Sequence, residues 1–344
     1  MQIKHQALAV VRTTVLVVAG VAALVGYQMS TPASAAAQTN TTAPKRMVTQ
    51  GPAKVVVENM YQCPVTVENY RPSGVGQITA ADGTVITMPA VTAYQKGLGP
   101  KSADLYNECT QVTPQKSADV STAKVPVIEV DRDGDVITGF IVADNYYEMY
   151  VNGTLVSVDN TPYTPFNSTI VKFRVKRPYT LAFLVVDWDA HLGQGMEVFP
   201  NTPAGKDWYP GDAGLIARFS DGTVTDSNWK AQSFYIAPLN SPDEVVQRGN
   251  LHDTTALGRV HPVARKPDCQ EKCYAVHYPI PSGWQSPTFN DSTWPRAYEY
   301  TDTDIGTTAL PAYSRYPELS SGARWIWSVN LVFDNVVIAR RTVR

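Results

Sequence analysis

From Lys54 onward the chain is written in short apolar runs closed by turn residues. "KVVVENMY", "GTVITMPAV", "VPVIEVDRDGDVITGFIV" and "YYEMYVNGTLVSV" come first. "STIVKFRVKRPYTLAFLVVDW", "GLIARFSDGTVT", "WKAQSFYIAPL" and "RWIWSVNLVFDNVVIARRTV" follow. These runs are rich in Val, Ile, Thr, Tyr and Phe, with periods near two, which predicts half-buried strands. Asp-Gly at 133–134 and 221–222 and Asn-Gly at 152–153 are hairpin-turn signals. No window sustains a helical period with caps, and no fixed-period repeat appears. The pattern predicts an all-β chain folded as an antiparallel sandwich or barrel. In "DNYYEMYVNG", residues 144–153, alternation puts Tyr147, Met149 and Val151 on one face and Tyr146, Glu148 and Tyr150 on the other. The Met149 face is expected to be core.

The first residues differ in kind. Lys4 and Arg12 precede an uncharged run from Thr13 to Met29, and Ala33-Ser34-Ala35 follows. This order predicts a secretory signal over residues 1–35. An uncleaved anchor is the other reading of a run at the short limit for a spanning helix. Residues 36–53, small and polar with proline, are expected as a flexible leader. The whole chain has a net charge of −2; without Lys4 and Arg12 it has 27 cations against 31 acids, a net −4. No basic block or stripe appears in the sequence, which argues against a nucleic-acid partner. All four cysteines lie in the exported part, and an even count there predicts disulfides. The expected pairs are Cys63–Cys109 and the local Cys269–Cys273; a metal site of Cys269 and Cys273 with His261 or His277 is the alternative.

Residues 112–125 lack apolar periodicity and divide the chain. A small disulfide-stapled β module is expected at 54–111 and the main domain at 126–344. Within it, residues 238–274 read as a long surface loop.

Three stretches carry a family resemblance: "ADNYYEMYVNG", "FSDGTVTDSNWKA" (219–231) and "GWQSPTFNDSTWPRA" (283–297). In that order they resemble the galactose-binding-like jelly-roll domains attached to secreted glycoside hydrolases such as α-L-rhamnosidases and β-galactosidases. Asn290 stands where that family often has an aspartate, and the resemblance covers roughly residues 126–344. It implies a jelly roll that binds carbohydrate, one structural calcium, and no hydrolysis, since it matches an accessory domain and not a catalytic barrel. Trp229, Trp294 and Trp325 are expected as core anchors, because an indole buries a large apolar area.

The candidate chemistry is acidic. Asp131, Asp133 and Asp135 place three carboxylates within five residues, as a hard cation would want, although Val142 occupies the position where an EF-hand needs glutamate. A turn with solvated acids is the competing reading. In "DWDAH", extended geometry puts Asp187, Asp189 and His191 on one face and Trp188 on the other. That face suits a metal or a sugar, or is a strand end with exposed acids. Asp187, Asp189 and Glu197 are also the carboxylates available for glycoside chemistry. There is no G-x-S-x-G, H-E-x-x-H or phosphate-cradling loop. The Asp144-Asn145 pair recurs as Asp334-Asn335 ahead of the last strand, and the two pairs are expected on one rim where a cation or ligand would sit. The sequons at Asn40, Asn152, Asn167 and Asn290 are glycan acceptors only in a eukaryotic secretory pathway.

The leading expectation is a secreted, non-catalytic module that binds carbohydrate or cell-surface polysaccharide outside the cell. Its candidate ligand residues are Asp144, Asn145, Asp187, Trp188, Asp189, His191, Asp334 and Asn335. A self-assembling surface-layer or matrix protein is the second reading. A glycoside-active enzyme using Asp187, Asp189 and His191 is the third.

Overall fold

The computed structural model describes residues 45–60, 73–106, 114–161, 167–198, 208–258, 269–307 and 311–344. The predicted signal, both Cys63 and Cys109, and His261 lie outside the described residues. All described residues belong to one compact unit, Thr42–Arg344. Its strands are β1 (Met47–Gln50), β2 (Lys54–Val57), β3 (Val75–Thr79), β4 (Val85–Met88), β5 (Ala103–Tyr106), β6 (Val127–Glu129) and β7 (Asp135–Asp144). Then come β8 (Tyr146–Val151), β9 (Thr154–Val158), β10 (Asn167–Val175), β11 (Tyr179–Val186), β12 (Met196–Val198), β13 (Trp208–Pro210) and β14 (Gly214–Phe219). The rest are β15 (Lys230–Leu239), β16 (Val246–Arg248), β17 (Leu251–Asp253), β18 (Tyr274–His277), β19 (Tyr298–Tyr300), β20 (Trp325–Trp327) and β21 (Asp334–Val343).

Two seven-stranded sheets form the body, as the alternating pattern predicts. The first runs β1-β18-β15-β21-β11-β8-β9. The second runs β19-β20-β14-β7-β10-β5, with β6 sharing an edge of β10. Pairing is antiparallel among the described strands except at β6/β10. Aromatic side chains from both sheets meet between them: Phe173 packs 6.1 Å from Tyr179 and 6.1 Å from Phe219. The Tyr147 hydroxyl bonds Thr169 Oγ1 across the gap at 2.6 Å. Trp229, Trp294 and Trp325 are buried, as expected of core anchors.

The first sheet is buried on both faces, which accounts for the unbroken apolar run of β11, buried at every position. Its outer face is covered by residues 73–101 at one end. Glu148 accepts from Ala93 N, Tyr146 OH and Tyr150 OH, and Trp188 Nε1 donates to Gly74 O. This corrects the expectation for β8: the Met149 face is core, but Tyr146 and Glu148 on the other face are buried too. The stretch expected as a separate module at 54–111 supplies that cover and also donates β5 to the second sheet.

Three further expectations change. Residues 47–50 of the expected leader are an edge strand, β1, paired with β18, and Thr49 Oγ1 lies 2.9 Å from His277 Nε2. The described part of the 238–274 loop is ordered: Ser241 and Glu244 form a capping box, β16 and β17 pair, and buried His252 stacks on Tyr278. Asp133-Gly134 is not a hairpin turn. Residues 130–134 arch over the end of β10, from β6 on one side to β7 on the other. Gly134 sits against the Val175 backbone, where a Cβ would come within 2.2 Å of the carbonyl carbon. Asn152-Gly153 does turn as predicted, with φ of 49° and 85°.

Candidate functional site

Strand β11 carries the chain out to Asp187 between β8 and β21, since Val186 pairs with both Tyr146 and Val336. That register sets Asn145 and Asn335 against the backbone of Val186, Asp187 and Trp188. Asn145 N donates to Val186 O, Asn145 Oδ1 accepts from Trp188 N, and Asp187 N donates to Asn335 O at 2.8 Å. The rim is a closed polar core, however. Asn335 spends its amide on the carbonyls of Ala237 and Phe333, both at 2.8 Å. Asp334 turns to Ser328 and Thr254 and stays apart from the cluster.

Asp187 and Asp189 occupy different surroundings instead of one exposed face, and both are 1 % exposed. The Asp187 oxygens have no hydrogen-bond partner. Gly211 lets its carboxyl approach Glu197: a Cβ there would lie 3.0 Å from Asp187 Oδ1 and 3.1 Å from Glu197 Cδ. Burial, and then the charges of Glu197, Asp144 and Asp212, raise its pKa well above the carboxylate range. Asp189 accepts from Gly193 N, Gly195 N and Tyr235 OH at 2.8–3.0 Å. Burial still pushes it up to about 7 against those bonds. His191 is half-buried, and burial lowers its pKa while Glu271 opposes. Trp188 is 0 % exposed, edge-on to Tyr146 at 5.7 Å, and its ring is a packing surface, not a platform for a sugar. As placed, the buried group cannot meet a saccharide chain.

The DRDGD acids do not converge either. Asp131 Oδ2 caps Lys176 N at 3.0 Å, Asp133 pairs with the Lys176 ammonium at 3.2 Å, and Asp135 opens β7 exposed. Among the described residues no three His, Cys, Asp or Glu side chains are placed to hold a metal ion. The local disulfide Cys269–Cys273 is present, which excludes the alternative thiolate site.

The open site lies at the opposite end of β21. Six residues separate Asn335 from Arg341, roughly 20 Å along a strand. There a groove of about 790 Å³ runs between three segments. The 219–231 motif supplies Asp221, Asp226, Asn228 and Lys230; the 283–297 motif supplies Asp291 and Arg296; the end of β21 supplies Arg340 and Arg341. Arg177 and Arg344 complete its charged lining. Arg340, 1 % exposed, fixes the wall by donating to Asp291 at 2.8 Å and to the carbonyls of Trp284 and Ser286. Two stretches distant in sequence thus meet in one cavity that neither announces alone. Its cations come from four places in the chain, and the only local hint is "ARRTVR" at residues 339–344. No protein-family model, curated protein or solved structure matches this chain.

Proposed function

We propose that the chain is an exported, non-catalytic carbohydrate-binding module on a jelly-roll sandwich of the galactose-binding-like kind, and that the groove beside the end of β21 is its ligand site. The observation that carries this reading is the groove itself. It is open and lined by hydrogen-bonding side chains, and two of the three stretches that resemble that family contribute to it. Binding is favoured over hydrolysis because the carboxyls with raised pKa, Asp187, Asp189 and Asp334, are sealed from solvent. Saccharide hydroxyls need both donors and acceptors, and the groove offers Arg and Lys beside Asp226, Asn228 and Thr223. A glycan array probed with the purified chain, with and without chelator, tests it. Saturable binding to a defined glycan is expected; none across neutral and acidic glycans would sink the reading.

A second reading, self-assembly, is favoured by one feature. Strand β2 is the edge of the β2-β3-β4 sheet and exposes Val55, Val56 and Val57 at 52, 49 and 38 %. Such an edge invites pairing with another strand. Light scattering of the wild-type chain and of Val56→Lys separates the readings: assembly through this edge should disappear in the variant.

A further inference from the structure

We infer that the ligand of this groove is a polyanionic saccharide, a chain bearing carboxylate or sulfate groups, held chiefly by Lys230, Arg296 and Arg341. The inference rests on the groove being the glycan site proposed above. Six cationic residues line it against three acidic ones. The three acids are already engaged by protein groups. Asp221 holds Arg177 and the Tyr179 hydroxyl, Asp291 holds Arg340, and Asp226 accepts from both nitrogens of Asn228 at 2.8 Å.

The remaining cations are positioned without being neutralised. Lys230 Nζ donates to Trp294 O at 2.8 Å, Arg341 to Asn228 O at 2.9 Å, and Arg296 to Ser227 O and Asn228 Oδ1 at 3.4 and 3.3 Å. Carbonyl partners fix a side chain's direction and leave its full charge for a ligand. Among the described residues none of Lys230, Arg296 or Arg341 forms an ion pair. A local excess of positive charge on a chain of net −2 draws a polyanion and makes the affinity dependent on salt.

Two features favour a saccharide over a nucleic acid. Among the described residues no aromatic side chain lines the groove, so bases would have nothing to stack on. Asp226 also retains acceptor capacity, which suits the hydroxyls a saccharide presents between its charged groups.

The test is direct binding of the full chain to polygalacturonate, dextran sulfate, neutral dextran and single-stranded DNA at low and moderate salt. Binding to one or both acidic polysaccharides is expected, weakening by about tenfold or more between 50 and 300 mM salt. Polygalacturonate alone would identify carboxylate as the recognised group, and dextran sulfate alone would identify sulfate. Arg296→Glu and Arg341→Glu should each reduce that affinity by about tenfold or more at low salt, with circular dichroism unchanged. If either variant fails to fold, the wild-type salt series still decides. Salt-independent binding to neutral dextran would overturn the polyanion assignment and leave the glycan-binding reading standing. Absence of binding to every polysaccharide would overturn both, and preference for DNA would replace the saccharide with a nucleic acid.

Discussion

Two buried charged residues show how single side chains hold this fold. Glu148 is 3 % exposed and gathers two phenols and a backbone N–H, tying residue 93 to the outer face of β8. Arg340 does the same for residues 284–291, and Asp291 is the only carboxylate on its guanidinium among the described residues. Asp291→Ala leaves that buried cation unpaired. Removing one partner of a buried pair costs about 3–5 kcal/mol, and the 27 % exposure of Asp291 places it at the lower end. Urea denaturation should show a lower midpoint at unchanged m-value. A loss below about 1 kcal/mol, the scale of surface pairs, would mean water replaces Asp291 at Arg340.

At the level of elements, β1 separates what a local pattern encodes from what it does not. Met47–Gln50 offers no alternation and reads as leader, yet all four residues pair with β18, and Thr49 meets His277 228 residues away in sequence. A chain beginning at Lys54 should therefore melt below the full chain. Four ladder positions and a buried side-chain contact are lost, about 2 kcal/mol or more, and the bared edge of β18 should promote aggregation. An unchanged melting temperature would show that β1 adds nothing. The strands inside the quoted apolar runs, β2, β4, β6 to β11, β14, β15, β20 and β21, were legible because alternation is a local property. The Asn152-Gly153 turn was legible because both residues adopt positive φ. Contacts between distant segments were not: the arch at Gly134, the cover over Glu148 and the meeting of Lys230, Arg296 and Arg341 arise only when the sheets close. The strand-end placement of the Asp144–Asn145 and Asp334–Asn335 pairs was legible, but Asp334 turns away to Ser328 and Thr254. That they are sealed from solvent depends on contacts from distant segments, such as Thr254 on Asp334 and Ala237 on Asn335, which no alternation marks.

Across the whole molecule, three buried carboxyls and two buried imidazoles set the response to pH. Burial raises Asp187 well above the carboxylate range, and pushes Asp189 and Asp334 up to about 7. Burial lowers His252 to about 4 and His277 to about 3. A raised acid keeps its proton longer folded than unfolded, so its contribution is complete below about pH 4 and is lost as pH rises through about 7. A depressed histidine contributes fully above about pH 6.5 and loses that contribution as pH falls toward its folded value. Between these limits three carboxyls oppose two imidazoles, and the net fall with rising pH is that of one carboxyl, about 1.4 kcal/mol per pH unit. Above about pH 6.5 only the carboxyls remain, each lowering stability by about 1.4 kcal/mol per pH unit until it ionises. Melting temperature should therefore peak near pH 4 and fall with rising pH, most steeply just above pH 6.5. Asp334→Asn presents a neutral oxygen to Ser328 and Thr254, the partners of Asp334 Oδ2, and should remove one carboxyl's share of that fall. Melts of both chains at half-unit steps from pH 4 to 8 measure the difference. Wild-type stability that rises from pH 6.5 to 8 would mean that these carboxyls are already charged in the folded state, and would reverse the sign argued here.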